Sequence, residues 1–226
     1  MPIEAVIFDL DGTLANFNLD YKALRSEVRG YLTRLGVPDS VLKVNESIFE
    51  MLTKAEIFMK NKKKSAEAFE QIRSQTLAIA EKHEIESAST TSLLPGAVET
   101  LKELKRMNLK MGVCTSNNEK AANYILQRFK IDDYFKIMVP RDRVKYVKPN
   151  TEQFELALQT LGASPQVTVI VGDSCADMQS AKELKAIAIG YPTGFSTTEQ
   201  LTSNGANYII TALTDLPTLI KKINKD

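Results

Sequence analysis

Short apolar runs alternate with segments of helical periodicity along most of the chain. The first run, 3–8, is rich in branched and aromatic residues and ends at Asp9. Such runs are typical of buried parallel strands. Four further runs resemble it, the last more weakly, at 110–114, 166–171, 186–190 and 208–211. The pattern therefore predicts several strands of one sheet.

Amphipathic segments lie between these runs, with apolar residues three or four positions apart. They cover 98–107, 121–129, 154–161 and 176–184. Asn150 followed by Gln153 resembles a capping box at the start of the third segment. The alternation predicts an α/β fold, a Rossmann-like doubly wound parallel sheet that binds ligands at the carboxyl ends of its strands.

The stretch 17–92 has helical periodicity and no convincing strand. Its apolar stripes predict three helices, at about 21–35, 40–60 and 64–82, which would pack as a small bundle. The polar sequence SASTTS at 87–92 predicts a flexible return to the core. We therefore expect a Rossmann-like core domain from 1–16 and 93–226, and an inserted α-helical cap domain from 17–92.

Composition describes an ordinary globular chain, with 43% hydrophobic and 25% charged residues. The net charge of +1 gives no strong reason to expect a nucleic acid or a membrane as partner. Cys114 and Cys175 suggest neither a disulfide framework nor a zinc site. We expect a cytoplasmic protein with a small-molecule substrate, and its state as monomer or homodimer stays open.

Four short motifs carry the candidate chemistry: DLDGT at 9–13, TSN at 115–117, KPN at 148–150 and GDSCAD at 172–177. Three of them follow predicted strand ends, so the fold would bring distant residues to one crevice. Asp9 and Asp11 are separated by one residue, and Gly12 permits a turn there. One carboxylate can attack phosphorus to give an acyl phosphate, while the other transfers the proton. The motifs therefore indicate phosphoryl transfer.

A hard cation would be needed to hold Asp9 and Asp173 beside a phosphorylated substrate. Mg²⁺ suits such an oxygen-only site, in which Asp177 would be a ligand or the partner of one. Thr115 offers a hydroxyl, and Lys148 offers a compact positive charge that also restrains Asp9. The predicted phosphate contacts are Leu10, Asp11, Thr115, Ser116 and Lys148.

With all four motifs in order, the whole chain resembles the haloacid dehalogenase superfamily. The resemblance implies that Asp9 is the nucleophile, Asp11 the general acid/base, and Thr115 and Lys148 the second and third catalytic motifs. It also implies Mg²⁺ binding by the Asp9 side chain, the Asp11 backbone carbonyl and the acidic fourth motif, Asp173 with Asp177. The helical insertion resembles the first-type cap found in phosphoglycolate phosphatase and beta-phosphoglucomutase.

This resemblance implies a Mg²⁺-dependent phosphatase that hydrolyses a small phosphorylated metabolite through a phosphoaspartate at Asp9. Dehalogenase members lack the second acid, so Asp11 favours phosphate esters. A phosphomutase is one alternative, but that relative uses a histidine early in its cap, and the only histidine here is His83. A non-catalytic protein-binding module is the other alternative.

Substrate selection is predicted to lie in the cap, with Asn16, Phe17, Asn18 and Tyr21 as candidate contacts. Ala15, Asn16 and Val147 depart from residues common in the family, which leaves the substrate open. The basic residues at 60 and 62–64 have two interpretations: a charged patch near the active-site mouth, or a solvated connection between helices.

Overall fold

The computed structural model describes residues 2–194 and 196–225. The chain forms two compact units, one from Met1–Asn18 with Ala88–Asp226 and the other from Leu19–Ser87. The predicted boundaries of the cap, 17 and 92, fall close to these limits and stay a prediction of the functional division. No helix within the described ranges combines the length and the apolar character needed to cross a membrane.

The unit Leu19–Ser87 is built from α1 (Tyr21–Arg34), α2 (Ile48–Asn61) and most of α3 (Ala66–Thr90). One apolar cluster joins the three helices, as the sequence stripes predict. The start of α2 is later than expected because Ser47 and Glu50 form a capping box there. Residues 39–41 form a separate 3₁₀ turn instead of the beginning of that helix.

The end of α3 corrects the prediction for the SASTTS segment. A flexible return was expected over 87–92, but the helix continues to Thr90. Arg128 Nη1 donates hydrogen bonds to the carbonyl oxygens of Ala88 at 3.1 Å and Thr91 at 3.0 Å. These bonds satisfy carbonyls that a helix end leaves unpaired, so the polar sequence can stay ordered.

The other unit contains a sheet of six strands in the order β3-β2-β1-β4-β5-β6, with every neighbouring pair parallel. The strands are β1 (Ala5–Phe8), β2 (Lys110–Cys114), β3 (Ile137–Val139), β4 (Thr168–Gly172), β5 (Ile187–Gly190) and β6 (Tyr208–Ile209). This topology confirms the predicted doubly wound α/β fold. The sequence pattern missed β3, because three residues before Pro140 are too few to show periodicity.

Strand β1 lies at the centre of the sheet, between β2 and β4. Ala5 pairs with Lys110 on one side and with Thr168 on the other. The chain therefore leaves β1 toward β2 and later returns to its opposite edge at β4. This arrangement places the topological switch point, where such folds bind ligands, at the carboxyl end of β1.

The side chains of β1 alternate between the two faces of the sheet, and helices cover each face. Val6 and Phe8 pack in the cluster that includes α4 (Ala97–Arg106), α5 (Glu119–Arg128) and α9 (Leu216–Ile223). Ala5 and Ile7 pack in the cluster that includes α6 (Glu152–Leu161), α7 (Cys175–Leu184) and α8 (Thr198–Ser203). Because both faces of the sheet are apolar, the sequences of its strands are continuous hydrophobic runs.

Candidate active site

Three buried aspartates meet at the carboxyl ends of the two central strands. Asp9 directly follows β1, Asp173 directly follows β4, and Asp177 lies in the first turn of α7. One carboxylate oxygen from each lies within 4.8 Å of the other two. The parallel pairing of β1 with β4 therefore joins the first and fourth motifs in one acidic cluster.

Lys148 binds two of these aspartates. Its Nζ lies 2.5 Å from Oδ1 of Asp9 and 2.7 Å from Oδ1 of Asp177, and it donates a third bond of 3.1 Å to the carbonyl oxygen of Cys114. Burial by itself would lower the pKa of Lys148, but the charges of Asp177 and Asp9 outweigh it and raise the pKa. The lysine is therefore a fixed positive charge beside Asp9.

Asp177 also closes the amino-terminal end of α7. Its Oδ2 accepts hydrogen bonds from the backbone N–H of Ser174 at 3.2 Å and from the Ser174 hydroxyl at 2.5 Å. The same hydroxyl accepts the N–H of Asp177 at 3.3 Å, which completes a capping box. Both carboxylate oxygens of Asp177 thus have partners, Lys148 on one side and Ser174 on the other.

Asp173 lies against backbone that has no room for side chains. A Cβ added at Gly12 or at Gly194 would overlap with Oδ2 of Asp173. Gly12 also has a φ of +81°, a conformation that favours glycine. The hydroxyl of Thr193, next to Gly194, donates to the carbonyl oxygen of Gly12 and so links the two segments. This close approach fixes where the carboxylate can lie.

The electrostatics of the cluster fit a divalent cation. Burial, together with the negative charges of Asp9 and Asp177, raises the pKa of Asp173 to about 9. Burial also raises the pKa of Asp9, to about 6, although the charge of Lys148 opposes the shift. Ionising all three carboxylates would therefore give more negative charge than Lys148 can balance. Their oxygen-only donor set is the kind that Mg²⁺ takes in proteins.

Asp11 differs from Asp9 in being only half-buried. Its Oδ2 accepts a hydrogen bond of 2.6 Å from the side-chain amide of Asn117. That bond joins the first and second motifs, and within the second motif the backbone N–H of Asn117 donates to Oγ1 of Thr115 at 3.1 Å. The sequence places Asn117 in the second motif but does not indicate this role, because an amide side chain takes no part in proton or phosphoryl transfer.

The remaining predicted phosphate contacts lie around this cluster. Thr115 is buried, and its N–H donates to the carbonyl oxygen of Val139 at 3.1 Å. Ser116 is half-buried, and its carbonyl oxygen accepts from Arg141 at 3.2 Å. Leu10 is fully buried. A phosphate-binding role for these residues stays a prediction.

Gln153 is the residue that sequence reasoning assigned wrongly. It was expected to form a capping box with Asn150, but the cap residue of α6 is Thr151, whose side chain accepts no backbone N–H of the first turn. Asn150 Oδ1 accepts instead from the N–H of Glu152 at 3.0 Å. The Gln153 side chain is buried and turned toward the motifs. Its Oε1 accepts the Lys148 N–H at 3.2 Å, and its Nε2 donates to the carbonyl oxygens of Thr115 at 2.8 Å and Val139 at 3.0 Å.

The candidate substrate contacts have partners within their own units. Asn16 Nδ2 donates to Oγ of Ser92 at 2.7 Å, and Asn18 Nδ2 donates to Oγ1 of Thr90 at 2.6 Å. Phe17 is half-buried. The guanidinium of Arg25 lies over the Tyr21 ring, with its Cζ atom 5.1 Å from the ring centroid. Substrate binding by Asn16, Phe17, Asn18 and Tyr21 stays a prediction.

Comparisons with known proteins agree with this architecture. A family model described as Haloacid dehalogenase-like hydrolase matches residues 6–190. The chain is 26% identical to Pyrophosphatase PpaX of Bacillus mycoides over 99% of this chain and 100% of that protein. It is 28% identical to the phosphoglycolate phosphatase of Pseudomonas putida over 84% of this chain and 70% of that one.

A solved structure shares the fold. The beta-phosphoglucomutase of Clostridium difficile superposes with a TM-score of 0.69 at 24% identity, covering 98% of this chain and 100% of that one. The four motifs, the parallel sheet and the extent of the family match lead to one conclusion. The chain belongs to the haloacid dehalogenase-like hydrolase family and is a hydrolase similar to phosphatases of that family.

Proposed function

We propose that this enzyme is a Mg²⁺-dependent phosphatase that hydrolyses a small phosphorylated metabolite, a phosphomonoester, through a phosphoaspartate at Asp9. The observation that carries the proposal is the pairing of Asp9 with Lys148 inside a buried carboxylate cluster at the switch point of the sheet. A nucleophilic carboxylate needs a fixed orientation and a site able to accept negative phosphoryl oxygens. Lys148 contributes to both.

In the first step, a carboxylate oxygen of Asp9 forms a bond to phosphorus while the bond from phosphorus to the leaving oxygen breaks. Asp11 donates a proton to that oxygen, and the product is an alcohol. In the second step, a water molecule attacks phosphorus, Asp11 takes its proton, and the bond to Asp9 breaks. Inorganic phosphate leaves, and both aspartates return to their starting states.

Residues of the second and third motifs bind the phosphoryl group in this proposal. Lys148 provides positive charge at the phosphoryl oxygens, and the Thr115 hydroxyl provides a hydrogen bond. Mg²⁺ would be held by the side chains of Asp9 and Asp173 and by the backbone carbonyl of Asp11. Asp177 would be a further ligand or the partner of one. When bound, the ion neutralises the carboxylates and the developing phosphoryl charge.

The names of relatives suggest the kind of substrate. The curated relatives reported above are named for pyrophosphate, a small phosphoric anhydride, and for phosphoglycolate, a small phosphomonoester. A phosphomutase remains the second candidate because the fold is shared with a beta-phosphoglucomutase. Hydrolysis is favoured because the mutase relative uses a histidine early in its cap, whereas the only histidine of this sequence, His83, lies late in α3. His83 is also paired with Glu27 inside the helical unit, at 2.8 Å between Nε2 and Oε2. A cytoplasmic location and a small-molecule partner complete the proposal.

A panel of phosphorylated compounds tests the proposal. Purified protein is incubated with 4-nitrophenyl phosphate, phosphoglycolate, pyrophosphate and sugar phosphates, with Mg²⁺ or with a chelator, and released phosphate is measured. We expect Mg²⁺-dependent release from at least one phosphomonoester and none from Asp9→Asn. Interconversion of sugar phosphates without phosphate release would instead identify a mutase. No turnover of any compound by folded protein would support the non-catalytic alternative.

A further inference from the structure

The side chain of Gln153 makes three buried hydrogen bonds, which join Lys148 of the third motif to Thr115 of the second and to Val139 of β3. We propose that Gln153 is a positioning residue, which holds the phosphoryl-binding groups of Lys148 and Thr115 in register with Asp9. This inference rests on the proposed function, because it concerns the same phosphoryl site. It adds a residue outside the four motifs, on a helix whose other buried positions are mainly apolar.

The contact with Lys148 fixes the start of a long side chain. Gln153 Oε1 accepts the backbone N–H of Lys148 at 3.2 Å, while the other end of that side chain, Nζ, is bound by Asp9 and Asp177. A lysine side chain has several rotatable bonds, so two carboxylates alone do not determine how its backbone lies. With both ends held, the ammonium has one position relative to the Asp9 carboxylate.

The contact with Thr115 orients a peptide group of the second motif. Gln153 Nε2 donates to the Thr115 carbonyl oxygen at 2.8 Å, and that carbonyl belongs to the same planar peptide as the N–H of Ser116. In a trans peptide the C=O and the N–H point in opposite directions. Directing the carbonyl toward Gln153 therefore directs the Ser116 N–H away from it, into the loop that carries the predicted phosphate contacts.

The second donor bond links this peptide to the sheet. Gln153 Nε2 also donates to the carbonyl oxygen of Val139 at 3.0 Å, and the same carbonyl accepts the N–H of Thr115 at 3.1 Å. Val139 is the last residue of β3, so the loop after β2 is fixed against its neighbouring strand. Only an amide side chain can accept one backbone N–H while donating to two carbonyls. Glutamine is therefore matched to all three partners.

The experiment compares Gln153→Met and Gln153→Glu with the control variant Leu158→Ala. Methionine has a similar length but none of the three hydrogen bonds, and an ionised glutamate keeps the acceptor but loses both donors. Leu158 is buried in the same helix and takes no part in the polar contacts. Circular dichroism checks folding. The kcat, the KM and the binding constant of inorganic phosphate, measured by calorimetry with Mg²⁺, are then compared.

We expect Gln153→Met to lower kcat by about tenfold to a hundredfold, the effect of small misplacements of catalytic groups. It should also weaken phosphate binding several-fold, whereas Leu158→Ala should lose thermal stability but keep both constants within about twofold. Gln153→Glu should weaken phosphate binding because it loses the hydrogen bond that orients the Thr115 peptide. A folded Gln153→Met with unchanged kcat and phosphate binding overturns the proposal. So does failure of both Gln153 variants to fold when Leu158→Ala folds, because the contacts would then be structural only.

Phosphate binding separates this inference from the proposed function. If the wild-type protein turns over none of the compounds in the panel, the proposed hydrolysis fails. Calorimetric binding of inorganic phosphate to wild type, and its loss in Gln153→Met, would still support the positioning role. Equal phosphate binding in both proteins would reject it independently of turnover.

Discussion

The side-chain amide of Asn117 donates a 2.6 Å hydrogen bond to Oδ2 of Asp11, 106 positions earlier in the chain. Asn117 lies just after β2 and Asp11 just after β1, and these strands are neighbours. The donor orients the carboxylate that we propose as the general acid/base. Its proton-transfer geometry thus depends on a residue of the second motif.

Replacing Asn117 by alanine should slow turnover in a way that depends on the leaving group. Without the amide, Asp11 can rotate away from the leaving oxygen, so proton donation suffers. We expect kcat for an alkyl phosphate to fall about tenfold or more, a part of the usual contribution of general acid catalysis. The effect on 4-nitrophenyl phosphate, whose leaving group needs little protonation, should be smaller. Equal losses for both substrates would contradict a role through Asp11.

Asp9→Asn should abolish turnover without loss of the fold. The amide has nearly the same shape but is a poor nucleophile, and Lys148 keeps its contact with Asp177. Phosphate release and circular dichroism measure the two effects. Incubation with a labelled phosphate donor should label the wild-type protein with acid-stable, base-labile phosphate, and should leave Asp9→Asn unlabelled. A variant that retains substantial activity would refute Asp9 as the nucleophile.

Lys148→Met should both inactivate and destabilise the protein. The substitution leaves Asp9 and Asp177 as buried carboxylates without their positive partner. Breaking a buried ion pair from one side costs about 3–5 kcal/mol. Urea unfolding at neutral pH in the absence of Mg²⁺ measures the loss. Lys221→Met is the matched control, because its ion pair with Glu103 is exposed and its loss should change unfolding little.

The stability of the metal-free protein should fall as the pH rises from 5 to 9. Burial raises the pKa of Asp173 from 3.8 to about 9 and that of Asp9 from 3.8 to about 6. Between the ordinary pKa and the raised pKa of each group, the folded state binds a proton that the unfolded state releases. The stabilisation is therefore complete below about pH 4 and is lost by about pH 9. The pKa of Lys148 is also raised, so the stability that Lys148 contributes is complete below its usual pKa of 10.5 and is lost only above this range.

Saturating Mg²⁺ should reduce this pH dependence, because a bound cation favours the ionised carboxylates. Urea midpoints at several pH values, with Mg²⁺ and with a chelator, give the comparison. The Mg²⁺-induced increase in the midpoint should be largest near pH 9. A midpoint that rises with pH in the chelated protein would contradict the direction of both pKa shifts.

Gly194→Ala should weaken Mg²⁺ binding by about tenfold to a hundredfold, the range found when a residue supporting a metal ligand is changed. The new methyl group would overlap with Oδ2 of Asp173 and displace that carboxylate. Calorimetric titration with Mg²⁺ gives the affinity without requiring turnover. Gly30→Ala is a suitable control, because its Cβ would meet nothing closer than the flexible tip of Arg34 at 3.7 Å. Unchanged Mg²⁺ affinity in folded Gly194→Ala would exclude this steric role.

The sequence predicted the fold where its signals were local and repeated. Apolar runs ending in acidic motifs identified β1 and β4, and parallel topology then implied that Asp9 and Asp173 would meet. It failed for β3, which is short, and for the end of α3, where Arg128 stabilises a polar segment from 40 positions away. Gln153 was misread because a polar residue near a helix start has the same local pattern whether it caps the helix or binds distant backbone groups.

The central position of β1 has a consequence for the order of folding. Its residues pair with strands that begin at positions 110 and 168, so two long loops must close before Asp9 has its neighbours. The bundle of 19–87 is joined by contacts between helices nearby in sequence, which form faster. During refolding from urea, helical signal should therefore recover before phosphatase activity. Catalytic competence would be among the last properties that the renaturing chain regains.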